Sequence, residues 1–348
     1  MSFILPKQDA FGLDISDYIL RLVNIENNQI VSVAEIDLPV GLFSKGEIID
    51  APGISQYIKK LLEKIKGKKI KKKYVIACLP EQKTFVKVID LPDNKPIVFE
   101  ELLADEITKH IPYNLEEIYL DWQYLPGGEK NKILIGVVPK KVVNDFQKII
   151  MDADLIPLTL EVEAIAISRC LVNQSANDNF AQILLDIGFN RTSLMVYDRQ
   201  TVQFSISIPL SGDALTKTIA NDLSFTYQQA EKAKVVCGFD EKKCDRALFK
   251  ILKPAVSMLI NNLNGAISFY QNHFTGQQPI KKILLCGGGA NFKNLDQILR
   301  TETGMVVEKG NVLTNLKAAP SNNLLPKNKY LPYVTVIGLA LSNAYKNK

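Results

Sequence analysis

Histidine is almost absent from this chain, with two in 348 residues, and tryptophan occurs once. Scarce histidine argues against hydrolysis by a His base, and no G-x-S-x-G elbow presents a serine nucleophile. No G-x-x-x-x-G-K-[ST] occurs, which disfavours a P-loop site. The run Gly287–Gly289 does not match G-x-G-x-x-G and comes late, so a dinucleotide fold is disfavoured too. No apolar run reaches about 18 residues, the least that spans a bilayer. The opening MSFILPKQDAFG lacks a sustained apolar core, so no secretory leader is expected. Close cysteine pairs of the C-x-x-C type are missing as well. The five cysteines are Cys78, Cys170, Cys237, Cys244 and Cys286, and with so few histidines a structural zinc site is disfavoured. Their odd number and apolar neighbours predict reduced, mostly buried thiols in a cytoplasmic protein.

What is present is ordinary globular material, 47% hydrophobic and 23% charged. The length exceeds what one hydrophobic core usually holds. A formal charge of +5 permits an acidic partner or an anionic membrane surface and demands neither.

The chain opens as hairpins, FGLDISD and YILRLVNIE turning at NNQ into IVSVAEIDL. A helix is predicted over about 53–65, then a lysine-rich stretch at 66–73 and the strand YVIACLP. Residues 84–157 read as strand, helix near 97–109, strand, polar turn PGGEKN, strand and helix, a small inserted α+β subdomain. SANDNF at 175–180 is the expected hinge. After it the opening pattern returns: Asp186 ends an apolar strand at a turn as Asp14 does, a duplication of pattern. A helical region follows through about 211–273, with Pro254 as its expected break. The final LPYVTVIGLALSNAY reads as a buried helix whose small residues let another backbone come close.

Three segments can serve phosphate chemistry: Phe11–Asp17, Leu185–Thr192 and Cys286–Ala290. Turns present backbone N–H groups to phosphate oxygens. Carboxylates at strand ends hold Mg²⁺ directly or through water. Glycines remove the Cβ that would keep a ligand away. Any one of these alone is more often simply a turn; the sharper reading comes from all three in this order. His110, before Ile111-Pro112, reads as a helix-end residue, Trp122 as subdomain core, and the lysines at 66–73 as a solvated loop without interleaved aromatics.

These segments carry a resemblance. FGLDISDYILRLV, LLDIGFNRTSLMVYD, SISIPLSGDALTKTIANDLSFTYQQAEKAK, ILLCGGGANFKNLDQIL and YVTVIGLAL together resemble the PilM family of type IV pilus assembly, cytoplasmic actin-like proteins related to FtsA. The resemblance implies an α/β, actin-like ATPase fold with two lobes around a nucleotide cleft. The first lobe would comprise 1–83 and 158–178, with the inserted subdomain at 84–157. The second would comprise 179–213, a helical subdomain at 214–280, and 281–348. By motif match, Asp14 and Asp186 face the phosphates and Mg²⁺ of ATP. Ser16 belongs to the first phosphate loop, and Gly188 and Thr192 to the second. Glu231 and Lys234 lie near ribose and base, and Gly287, Gly288 and Gly289 form the adenosine loop. Glu161 lies near the position where active relatives orient a water. Ser16 stands where the first loop usually has glycine, and Phe189 and Asn190 replace small residues of the second.

The function implied is an ATP-binding adaptor, peripheral at the cytoplasmic side of the inner membrane. It would bind the cytoplasmic N-terminal segment of a PilN-like membrane protein through 84–157, with slow or absent hydrolysis. Two alternatives come from other classes. An FtsA-like division protein would carry a C-terminal amphipathic membrane helix, which the polar ending SNAYKNK does not resemble. A sugar or metabolite kinase would need an acceptor pocket and a base, and no such constellation is evident.

Overall fold

A computed structural model describes residues 9–44, 46–90, 114–125, 132–173, 178–321 and 323–345. The predicted helix near 97–109 with His110, the turn at 126–131 and part of the 175–180 hinge lie outside these residues. The chain divides into two compact units. The first comprises Met1–Gln123, Ile135–Gln174 and Val312–Lys348, and the second Tyr124–Leu134 and Ser175–Asn311.

The first unit starts with β1 (Ala10–Ile15), β2 (Ile19–Glu26) and β3 (Gln29–Asp37), followed by a small hairpin of β4 (Phe43–Ser44) and β5 (Glu47–Ile48). Helix α1 (Ala51–Glu63) is capped by Asp50, whose carboxylate accepts from the Gly53 N–H, and carries Pro52 in its first turn, where no N–H is needed. Strands β6 (Lys66–Gly67) and β7 (Tyr74–Leu79) follow, then β8 (Phe85–Asp90), β9 (Ile118–Tyr124) and β10 (Lys132–Pro139). Helix α2 (Lys140–Asp152), β11 (Ile156–Val162) and α3 (Glu163–Leu171) complete this stretch. The main sheet runs β11-β7-β1-β2-β3-β6, and β8, β10 and β9 lie side by side in that order. Alternation along β1 sorts its two faces. Phe11, Leu13 and Ile15 join Ile54, Ile58, Leu61, Phe146 and Ile149 in the core under α1 and α2. Ala10, Gly12 and Asp14 take the other face. Trp122 is not core: it is 37% exposed on β9, beside exposed Tyr119 and Tyr124.

The second unit contains β12 (Ala181–Ile187), β13 (Thr192–Asp198) and β14 (Thr201–Ile208). Helices α4 (Gly212–Leu223), α5 (Tyr227–Cys237) and α6 (Ala247–His273), strand β15 (Ile280–Cys286), helix α7 (Leu295–Thr303) and strand β16 (Val306–Lys309) follow. Its sheet order is β16-β15-β12-β13-β14. The opening pattern read twice in the sequence is a shared strand frame. β1 is antiparallel to β2 and parallel to β7, and β12 is antiparallel to β13 and parallel to β15. Helix α6 runs through Pro254 without the expected break. Its buried stripe Leu252, Val256, Leu259, Leu263, Ala266 and Tyr270, spaced three and four apart, outweighs the one hydrogen bond proline removes. The expectation of reduced thiols fails at one pair. Cys237 and Cys244 form a disulfide, because a turn with positive φ at Gly238 and Cys244 brings their Cα atoms to 6.2 Å. Cys78, Cys170 and Cys286 are in no disulfide and are buried, as expected.

The chain then returns to the first unit with α8 (Val334–Tyr345), rather than staying in the second lobe as the 281–348 division supposed. The helix is built for close approach. A Cβ on Gly12 would come within 2.5 Å of the Val336 carbonyl, and one on Gly338 within 1.9 Å of the Ala166 carbonyl. Backbone therefore lies against backbone at both crossings, and the small residues read from the sequence have their reason.

Candidate functional site

In the first unit, Asp14 stands one residue before the end of β1, and the turn after it closes when the Ser16 N–H donates to the Ile19 carbonyl at 3.2 Å. The Ser16 hydroxyl donates to the same carbonyl at 2.8 Å. Serine in place of glycine therefore costs this turn nothing: its φ is negative and its side chain folds onto the turn it belongs to. Asp14 is buried, and Arg21, its register partner on β2, places a guanidinium nitrogen 3.8 Å from its carboxylate. The Cys78 thiol donates to Asp14 Oδ1 at 3.5 Å. Burial, and next the Asp14 charge, push that thiol well above its ordinary range, so it stays protonated. Arg21 also lies 5.4 Å from the Tyr333 ring centre and 3.9 Å from Glu35. Sequence reasoning missed Arg21. A turn closed between residues 16 and 19 fixes the register that sets it opposite Asp14, so the signal was present.

Glu161, the loose candidate for placing a water, has both oxygens engaged. Arg169 donates to Oε2 at 2.7 Å and Ser342 to Oε1 at 2.7 Å, while the same Arg169 nitrogen also donates to the Gly338 carbonyl. The cluster ties β11, α3 and α8 together.

In the second unit the turn after Asp186 repeats the first, with the Gly188 N–H donating to the Arg191 carbonyl at 2.8 Å. Ser16 and Gly188 thus hold equivalent places. The start of α4 docks on this turn, as the Gly212 and Asp213 N–H groups donate to the Gly188 and Phe189 carbonyls. The Ala214 N–H is taken by Ser211. The first amides of α4 are therefore spent inside the protein. Thr192 is fully buried and donates to the Leu210 carbonyl at 2.8 Å, pinning the approach to α4. Phe189 is exposed at the apex of the turn.

Lys234 comes up from α5 into this corner and is 3% exposed. Its ammonium donates to the Gly212 carbonyl at 2.8 Å, Thr216 Oγ1 at 2.6 Å and Glu231 Oε2 at 2.7 Å, and stands 5.5 Å from the Phe292 ring centre. Its three protons are matched by three acceptors. Thr216 also donates to Glu231 Oε2. The Glu231 side chain keeps 41% of its surface exposed. Thr216 and Gly212 were not singled out from sequence, because nothing in a helix 15 to 22 residues away announces them as partners of Glu231 and Lys234.

The glycine run completes the corner. Gly287 has φ 76°, and a Cβ there would stand 2.2 Å from Asp186 Oδ1 and 2.6 Å from the Ile187 carbonyl. A Cβ on Gly289 would strike Ile187 Cγ2 at 2.2 Å. Gly288 is different: it is exposed, with nothing within 4 Å of where a Cβ would be. The two outer glycines lock the loop on the Asp186 strand and the middle one faces open space. Asp186, Gly188, Glu231, Lys234 and the three glycines are thus gathered in one corner of the second unit, while Thr192 lies beneath it. Among the described residues no group of three His, Cys, Asp or Glu side chains could hold a metal ion. No helix among them is long and apolar enough to cross a membrane.

This architecture has known counterparts. A PilM-PilN type IV pilus biogenesis complex matches with TM-score 0.81 at 22% identity, covering 97% of this chain and 99% of that one. The ethanolamine utilization protein EutJ from Carboxydothermus hydrogenoformans matches with TM-score 0.58 at 16% identity, over 97% of this chain and 90% of that one. MreB5 of Spiroplasma citri bound to AMPPNP also gives 0.58, at 12% identity over 99% of this chain and 98% of that one. These neighbours place the chain in the actin-like fold. No curated protein sequence matches it. A family profile described as type IV pilus assembly protein PilM matches residues 12–344, and the chain belongs to that family.

Proposed function

We propose that this protein is an ATP-binding adaptor of a type IV pilus inner-membrane assembly, held at the cytoplasmic side of the membrane by the N-terminal segment of a PilN-like protein. The observation that carries this reading is full-length likeness to a PilM-PilN complex, on top of family membership. The direct test is a pull-down with N-terminal peptides of neighbouring inner-membrane proteins, with and without Mg-ATP. Retention of a PilN-like peptide is expected, and failure to retain any would overturn the adaptor reading.

Nucleotide binding is supported by the glycine corner. Gly288 leaves an open face for a base or sugar, and the exposed Glu231 carboxylate suits a ribose hydroxyl. Lys234 serves the ligand indirectly in this reading, as the buried tie that holds Glu231 and the start of α4. With no three-ligand metal cluster among the described residues, Mg²⁺ would be held mainly by phosphate oxygens and water, with Asp186 as the carboxylate of this corner. Asp186→Ala should weaken Mg-ATP more than metal-free ATP in calorimetry. Equal Mg-ATP affinity in both proteins would remove Asp186 from the site.

For the partner segment we keep 84–157. Strand β9 supports it, since Trp122 and Tyr124 are exposed on one of its faces, with Tyr119 on the other against α2. An extended peptide binds such a surface by strand addition or by burying its side chains among the rings. Cross-linking mass spectrometry of the complex should map peptide contacts to 84–157, and contacts confined to 214–280 would move the site.

A further inference from the structure

We infer that the lysine-rich stretch of the first unit is a docking surface for anionic lipid headgroups. Nine lysines fall within residues 59–73, at 59, 60, 64, 66, 68, 69, 71, 72 and 73, against the single acid Glu63. Two are neutralised locally, Lys59 by Asp154 at 2.8 Å and Lys68 by Glu26 at 2.5 Å. Lys64, Lys66, Lys69 and Lys71 are exposed, and no carboxylate among the described residues forms an ion pair with them. The stretch is no loose loop. β6 pairs with β3, the Lys68 N–H donates to the Val31 carbonyl, and Ser32 donates to the Lys68 carbonyl at 2.6 Å. The backbone at 66–68 is pinned to the sheet edge, while Lys64, Lys66, Lys69 and Lys71 face water.

These lysines do not serve the phosphate turn of their own unit. Tyr74, which follows the stretch, pairs with Ala10 at the start of β1, whereas Asp14 stands at the other end of that strand. Four residues of strand separate the two ends by about 13 Å, more than the roughly 8 Å over which exposed charges interact at physiological salt. The composition decides among polyanions. Arginine, which would read phosphates or carboxylates through paired bonds, is absent from 59–73, and so are aromatics on which bases would stack. Ile65 and Ile70 are partly buried against the core, so the stretch offers no exposed apolar anchor for a protein partner. A field of lysine point charges suits a headgroup layer, where attraction adds up residue by residue and needs no fixed geometry. The choice of a membrane rests on the adaptor reading, in which the partner is membrane-bound.

The test is flotation of the full chain with phosphatidylcholine vesicles, and with vesicles in which about a third of the lipid is phosphatidylglycerol. Binding to the anionic vesicles alone, lost at about 0.5 M salt, is expected. The variant K64Q/K66Q/K69Q/K71Q should bind them up to about a thousand-fold more weakly, while its thermal melt and its retention of the partner peptide stay as in the parent. No anionic-vesicle binding at low salt overturns the inference, as does a variant that binds as well as the parent. Displacement from vesicles by a single-stranded RNA that binds more tightly would reassign the surface to nucleic acid. If no peptide is retained by the parent, the adaptor reading falls while the vesicle arms still decide this one.

Discussion

At the scale of single residues, the glycine run separates architecture from ligand contact. Gly287→Ala forces a side chain into a left-handed backbone position and against the Asp186 carboxylate and the Ile187 carbonyl. It should cost roughly 2–4 kcal/mol, visible as a lowered melting temperature. Gly288→Ala meets nothing within the protein. Its stability should change by no more than about 0.5 kcal/mol, while nucleotide affinity falls if the open face is where the ligand lies. A Gly288→Ala protein with parental nucleotide affinity would remove that face from the site. Glu35 gives a pH prediction. Burial works against its charge, but Lys329 and Arg21 outweigh it and hold the carboxyl below its ordinary value of 4.5. A depressed folded value means the unfolded chain binds the proton more readily, so stability rises with pH through that window. This contribution is present above about pH 4.5 and is lost as the pH falls through the lowered value. Glu35→Gln should therefore flatten the acid limb of a stability–pH curve measured by urea titration. An unchanged limb would show that the interaction carries no net stability.

At the scale of elements, most of the architecture was written in period and punctuation. Alternation in Leu20, Val23 and Ile25 and the turn at NNQ announced the β2–β3 hairpin, and the apolar face of residues 54–65 announced α1. What could not be read was the destination of an element. The small residues of α8 said that a backbone would come near, but not that it would be those of β1 and α3, since nothing local links positions 12, 166 and 338. Pro254 misled for a related reason: a local break signal lost to a long-range apolar stripe. The cysteine pair escaped because two left-handed residues close the gap, and neither is a glycine-rich turn signal by itself. The saturation of Lys234 likewise depends on carbonyl and hydroxyl groups brought in by folding. The α8 crossing gives a further prediction. Gly338→Ala would place a methyl group 1.9 Å from the Ala166 carbonyl and push α8 off the Arg169–Glu161 tie. A loss of roughly 3 kcal/mol is expected in urea denaturation. A loss under about 0.5 kcal/mol would show that the two helices separate at little cost.

At the scale of the whole molecule, the proposed adaptor role calls for nucleotide binding without rapid turnover. Phosphoryl transfer needs an oriented water, and the one carboxylate suggested for that task is occupied on both oxygens by Arg169 and Ser342. A nucleotide still biases conformation wherever its affinity differs between two states. Phosphate release by the isolated protein should therefore stay well below about 1 per second, with a parallel measurement in the presence of the partner peptide. Turnover at or above that rate would require a different water-placing group and would end the adaptor account.

The return of the chain to its first unit also governs the order in which that unit is finished during synthesis. β1 leaves the ribosome early, yet the helix that covers its Gly12 face is α8, made only after residues 175–311 of the second unit. At bacterial-scale elongation of about 5–20 residues per second, that face waits on the order of 15 to 65 seconds for its cover. Meanwhile the second unit has all of its strands and helices and is free to fold. The first part made is thus the last completed, and a nascent chain stalled before residue 334 would present the bare face of β1 and α3 to chaperones.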